Sequence, residues 1–255
     1  MIWLAISVVV VSWWLFTGVA LWAAHQPRDL RRLFFAGLSA LALVALWLVP
    51  TIGSELSTRG TLLGFLIGLV LWSWLELSYL FGFLTGPVSE SCPPMASLAT
   101  RLQGAVGTTL YHELAVIFVV GLVCLLAMGR DNQTVTHTLT ILWLMRWSAK
   151  INLFSGVRTY NGSWLPRHLQ HIDSYLRVGQ NTWLVYASLV AGIFCSVMLF
   201  QVASTAENPS LRLSYWFALV LLVLGTLEHL FLMVPSREAV LWRWAKAPEL
   251  GENQT

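Results

Sequence analysis

Residues 146–175 read RWSAKINLFSGVRTYNGSWLPRHLQHIDSY, and they interrupt a chain that is otherwise almost continuously apolar. Arg146, Lys150, Asn152, Arg158, His168, His171 and Asp173 all stand within this stretch. A charged side chain in hydrocarbon costs at least about 2.5–3.5 kcal/mol on insertion scales, so one kept at such depth has a partner or a function. To either side the sequence runs in apolar blocks. Their length is what crossing a bilayer demands, about 20 residues for a core about 30 Å thick.

The bulk composition agrees with that reading. Of the 255 residues, 57% are hydrophobic and 11% are charged, whereas soluble domains carry about a quarter charged residues. The sequence therefore predicts an all-α, polytopic integral membrane protein in contact with the lipid bilayer. Many of the 14 Trp residues fall near predicted helix ends, where indoles favour the headgroup zone. The net charge of +3 comes from scattered basic residues, which is no footprint for nucleic acid. Cys92, Cys124 and Cys195 lack CxxC spacing, which argues against a disulfide framework or a thiolate metal site. A Gly-rich phosphate loop, a Ser-His-Asp arrangement and HExxH are all missing from the sequence. The first apolar block has neither a basic lead-in nor a small-residue cleavage site, and is expected to be a retained span.

Seven spans are expected within a transmembrane domain over 1–235, at about 2–24, 33–49, 62–84, 110–128, 136–157, 183–203 and 215–235. The fifth is the weakest, because it holds Arg146, Lys150 and Asn152. A loop over 158–180 and a tail over 236–255 complete the chain. The tail is expected to begin as a surface helix carrying Trp242 and Trp244, and to end disordered. Glycines inside the spans suit close helix approach, and no strict GxxxG seam is expected among them. The Asn161–Ser163 sequon is expected inside the cell, where it has no use. Basic residues orient the chain. With alternating loops, Arg28, Arg31, Arg32, Arg101, Arg158, Arg167, Arg177, Arg237, Arg243 and Lys246 share one side, and Arg59, Arg130 and Arg212 the other. This places the N-terminus outside and the C-terminus in the cytoplasm.

With that topology and a helical rise of about 1.5 Å per residue, the polar residues of four spans reach a common depth. Glu76 lies about 12 Å from the cytoplasmic end of its span, and Glu228 and His229 lie about 10 Å from theirs. His112 and Glu113 occupy the first turn of the fourth span. Arg146 and Lys150 share one face at i, i+4. His168 and His171 lie where they would cap this layer from below.

Three readings stay open. The first is structural: Glu76, Glu113 and Glu228 pair with Arg146 and Lys150, and the histidines bridge helices. The second is a metal site, with Glu76, His112, Glu113, Glu228 and His229 as carboxylate and imidazole ligands suited to iron or manganese; it would make the protein a membrane oxidoreductase of tetrapyrrole or isoprenoid metabolism. The third is a tetrapyrrole or other pigment site, in which a histidine ligates magnesium and an Arg or Lys such as Arg146 or Lys150 meets a propionate.

The run KINLFSGVRTYNGSWLPRHLQHIDSYL, residues 150–176, resembles the signature of the photosynthetic complex assembly protein 2 family (PuhE). In that family an N-L-F-x-G-V stretch precedes L-P-x-H-L and S-Y-F. Those positions here are Asn152, Leu153, Phe154, Gly156 and Val157, then Leu165, Pro166, His168 and Leu169, then Ser174 and Tyr175. LEHLFLMVPSREAVLWRW near the C-terminus and ELSYLFGFLTGP with YHEL in the first half also fit. Departures are Leu176 for Phe, Leu230 for Trp, and Ser155 for a bulkier apolar residue. The resemblance covers nearly the whole chain. It implies an inner (intracytoplasmic) membrane protein of phototrophic bacteria that assists reaction-centre and light-harvesting 1 assembly and bacteriochlorophyll supply. The partners it implies are subunits of those complexes or enzymes of bacteriochlorophyll synthesis. The site expected on all these grounds comprises Glu76, His112, Glu113, Arg146, Lys150, Asn152, His168, His171, Glu228 and His229, with bacteriochlorophyll or a precursor as its ligand.

Overall fold

The computed structural model describes residues 1–255 except 161, 163–164, 235–237 and 246–255; the side chains of 238, 239 and 243 are also outside the description. Among the described residues eight α-helices follow one another: α1 (Ile2–Ala24), α2 (Arg28–Gly53), α3 (Thr58–Leu80), α4 (Leu98–Gly107), α5 (Leu110–Leu126), α6 (Thr134–Ser155), α7 (Trp183–Thr205) and α8 (Pro209–Met233). Two 3-10 segments, Arg167–Tyr175 and Glu238–Ala245, lie before α7 and after α8. No strand is present among the described residues. Asn161 and Ser163 of the sequon, and 246–255 at the end of the tail, fall outside them.

Among the described residues five helices, α1, α2, α3, α7 and α8, are long and apolar enough to cross a membrane. A sixth crossing is available if α4 and α5, which bend by 58° at a short break, count as one. The chain is a multi-pass, all-helical membrane protein. In α6, Arg146, Lys150, His137 and the run of Thr134, Thr136, Thr138 and Thr140 lower the hydropathy, and it stands outside that group.

Local sequence sets the helix ends. The Ser57 hydroxyl accepts the Gly60 N–H to cap α3, and Asn208 caps α8 through Ser210 and Leu211 with Pro209 in the first turn. Both follow the preference for a short polar acceptor at a helix start. α6 stops at Gly156, whose φ of 141° few other residues adopt.

α3 is the central helix. On one side it joins α2, α5 and α6 in a core that includes Val49, Leu71, Leu75, Val116 and Leu139. On the other it joins α1 and α8 around Phe65 and Phe217, which stack with centroids 4.6 Å apart. α7 packs chiefly on α8 and leaves most of its surface exposed. Lipid supplies no hydrophobic drive between helices, so close packing holds them.

That packing corrects one expectation. Gly60, Gly64 and Gly68 recur every four residues along α3 and are buried. A Cβ on Gly64 would come within 3.1 Å of Thr134 Cβ, and one on Gly68 within 2.8 Å of Thr138 Cβ. A small-residue seam therefore brings α3 and α6 together, the kind of spacing that permits close backbone approach.

The tail also differs from the expected surface helix. Glu238–Ala245 turns back along α1, where Trp242 is buried against Trp13. Both its indoles meet rings on α1, Trp242 that of Trp13 and Trp244 that of Trp14, and Trp242 also donates to Trp14 O, partners that a flat position at the headgroups would not provide.

Candidate functional site

The polar residues expected to form one layer separate into two groups joined at Tyr79. The first faces a cavity of about 470 Å³ bounded by α1, α2, α3, α6 and α8. Arg146 Nη1 lies 2.6 Å from Glu76 Oε2, and both residues line the cavity with Glu228. The remaining wall is almost wholly apolar and includes Val9, Leu69, Ile141 and Leu221. Glu228 Oε1 accepts the indole N–H of Trp13 at 2.8 Å. Among the described residues Glu228 has no cationic partner. Glu76 Oε1 and Arg146 Nε are buried without hydrogen-bond partners.

The second group lies outside the cavity lining. Lys150 pairs with Glu113, whose other oxygen accepts the Trp147 indole N–H at 2.5 Å. His112 is fully buried, and neither ring nitrogen has a partner. Tyr79 stands between the groups. Its ring centroid is 5.4 Å from the Arg146 guanidinium carbon, 5.7 Å from Lys150 Nζ and 5.0 Å from the His112 ring. Rings at such distances attract cations through their negative faces. Tyr79 is three residues beyond Glu76, on the same face of α3.

The other expected residues stand apart. His229 donates and accepts within the bundle, through Gly225 O at 2.7 Å and Ser148 Oγ at 2.8 Å, so both its ring nitrogens are occupied. Asn152 is buried and donates to Ser188 Oγ on α7 at 3.0 Å. His168 packs its ring against Gly82, where a Cβ would come within 2.9 Å, and His171 keeps a buried, unpartnered Nε2. Both sit in the loop after α6. There Tyr160 donates to Asp173 at 3.0 Å. Burial, then the Asp173 carboxylate beside it, push the Tyr160 phenol well above its ordinary pKa, and it stays a donor.

Arg101 on α4 fastens this loop. Its guanidinium donates to Tyr175 O at 3.1 Å and to Phe154 O at 2.8 Å, and lies 4.0 Å over the Phe154 ring.

This geometry restricts the chemistry. Among the described residues no three His, Cys, Asp or Glu side chains come together as metal ligands. The set Glu76, His112, Glu113, Glu228 and His229 is divided by Tyr79 and by the commitments of His229, so the iron or manganese alternative has no ligand cluster. No histidine lines the cavity, and magnesium ligation by His112 or His229 has no ligand there either. What the cavity does offer is the Arg146 guanidinium, the carboxylates of Glu76 and Glu228, the indoles of Trp13 and Trp72 and the hydroxyls of Thr17 and Ser73 in an otherwise apolar surround. Such a pocket, apolar with a few placed polar groups, is the usual form of a small-molecule site. Trp13 and Tyr79 join the site without having been expected in it. Trp13 carries no charge to mark it, and Tyr79 is legible in the sequence only as the i+3 neighbour of Glu76.

No solved structure matches the chain. It is similar to a Rhodobacter capsulatus protein described as an uncharacterized 30.4 kDa protein in the puhA 5′ region, with 30% identity over 246 residues, covering 95% of this chain and 90% of that one. The family described as protein of unknown function (DUF3623) matches over residues 1–252, and the chain belongs to that family.

Proposed function

We propose that this protein is a seven-span factor of the bacterial inner membrane, with its N-terminus outside and C-terminus in the cytoplasm, that assists assembly of photosynthetic complexes. In that role its central cavity holds a lipid-phase ligand, bacteriochlorophyll or a late precursor. The relative in the puhA 5′ region and the resemblance of residues 150–176 support the photosynthetic role. The observation that carries the ligand reading is the cavity, in which Glu76, Arg146 and Glu228 stand together in an apolar wall. Its volume of about 470 Å³ falls in the range of about 300–1,000 Å³ usual for ligand pockets.

Arg146 would meet a carbonyl or carboxyl oxygen at the rim of the macrocycle. With no imidazole in the wall, the central metal is not the handle, and metal-free pigment should bind as well as the magnesium form. The inner loops, anchored by Arg101, would present a docking face to reaction-centre and light-harvesting 1 subunits or to enzymes of pigment synthesis.

The test is purification in mild detergent from pigmented cells, followed by absorption spectra and pigment extraction for wild type, Arg146→Met and Glu228→Gln. Wild type should carry pigment, and both variants should carry less per protein. Wild-type protein free of pigment would sink the ligand reading. Pigment per protein that is equal in all three, with only protein level falling in the variants, would leave the polar groups a scaffold role.

A further inference from the structure

Trp13 belongs to two assemblies at once. Its indole N–H donates to Glu228 Oε1 at 2.8 Å, and its ring meets that of Trp242 edge-on with centroids 5.0 Å apart. The C-terminal segment is fixed beside it by a reciprocal pair of hydrogen bonds. Trp14 Nε1 donates to Leu241 O at 3.0 Å, and Trp242 Nε1 donates to Trp14 O at 2.9 Å. Trp244 lies against Trp14 with centroids 5.6 Å apart. It also covers the buried Gly18, where a Cβ would run into the Trp244 ring and come within 3.0 Å of Trp242.

Glu228 has one hydrogen-bond donor among the described residues, and that donor is backed by the tail. An indole moved off Trp242 loses its edge contact and the wall that holds its N–H on the carboxylate. Glu228 is exposed on the bundle, but hydrocarbon supplies no hydrogen bonds, so a carboxylate there that loses its donor must take another partner. The cavity side of Glu228 is open to supply one.

We propose that the segment around Leu241–Ala245 is a gate on the central cavity. Docked on α1, it clamps Trp13 to Glu228; released, it surrenders the carboxylate to a ligand entering from the lipid. This rests on the cavity being a ligand site. Linkage makes the coupling reciprocal: a ligand that takes Glu228 loosens the tail, and a partner that draws off the tail opens the site.

The experiment uses the purified full chain in detergent and the lipid-soluble carbodiimide dicyclohexylcarbodiimide, which labels carboxyl groups. Labelling of Glu228 is followed by mass spectrometry, with Glu113 as internal reference and protease cleavage of the tail as the measure of release. Gly18→Leu denies the tail its seat without changing a cavity-lining residue, and Trp242→Ala removes the contact from the tail. Both should release the tail and speed labelling at Glu228 by about fivefold or more, with Glu113 unchanged. Trp13→Phe should speed it with the tail still docked. Release of the tail with Glu228 unchanged overturns the gate, as do equal rises at both carboxyls or a tail that stays docked in both variants. None of these readouts needs pigment, so failure here is distinguishable from failure of the pigment reading.

Discussion

Arg146 of α6 and Glu76 of α3 meet at 2.6 Å with side-chain exposures of 23% and 18%, too little for water to replace either partner. The pair joins the two helices that the glycine seam also brings together. It shares Tyr79 with Lys150, so neither ion pair is independent of the other.

Arg146→Met strands the Glu76 carboxylate beside the cavity. Removing one partner of a buried pair costs about 3–5 kcal/mol, while replacing both with apolar residues is often neutral. Thermal unfolding in detergent should show a large drop for the single variant and near wild-type behaviour for Glu76→Leu/Arg146→Met. Equal midpoints for the single and double variants would contradict the pairing.

Gly68→Val places a branched side chain where even a Cβ would crowd Thr138 at 2.8 Å. Overpacking of this kind costs about 1–3 kcal/mol. Thr138→Gly in the same chain should recover part of the loss. Gly121→Ala, at a position with nothing within 4 Å, should be neutral in the same assay. If Gly68→Val is as stable as Gly121→Ala, α3 and α6 are not held by this seam.

Arg101→Leu leaves the carbonyls of Phe154 and Tyr175 without their charged donor. Hydrogen bonds to charged groups contribute about 1.5–3 kcal/mol. The loss should appear locally, as faster amide exchange and protease cleavage within 158–180, with the spans unaffected. Arg101→Lys should restore part of the protection, and an unchanged loop in Arg101→Leu would show that the clasp is dispensable.

His229→Ala removes hydrogen bonds to Gly225 and Ser148 and leaves a void, at a cost of about 1–3 kcal/mol for the unpaired groups. Because the imidazole is spent within the bundle, pigment per folded protein should stay at the wild-type level. Should His229→Ala lose pigment while remaining as stable as wild type, the ring serves the ligand and its present partners do not define its role.

Helices are legible where apolar runs of span length are bounded by turns: α1 and α7 start where those runs start, while α3, Thr58–Leu80, begins and ends four residues ahead of the expected 62–84. Depth brings Glu76, Arg146 and Glu228 together because rise along a helix follows directly from residue count. Angle is not read as safely. Consecutive residues such as Glu228 and His229 point about 100° apart at 3.6 residues per turn, so Glu228 reaches the cavity and His229 turns to Ser148. The same rotation sends Glu113 to Lys150 and Trp147, outside the cavity lining. The GxxxG spacing of Gly60, Gly64 and Gly68 is in plain view in the sequence, yet spacing alone does not say what faces it: Gly60 lies against Glu55, and the α6 threonines that meet Gly64 and Gly68 are found only in the fold. Trp13 is not legible at all, since its partner Trp242 is brought to it only by the fold.

The docked C-terminal segment also sets an order on biogenesis. Trp14 and Trp242 are 228 residues apart, so the first helix leaves the ribosome with two indoles bare and must wait for nearly the entire polypeptide before its groove is filled. Truncated chains ending ahead of Leu241 would carry that unfilled surface permanently, a ready mark for quality-control proteases to distinguish unfinished copies from finished ones.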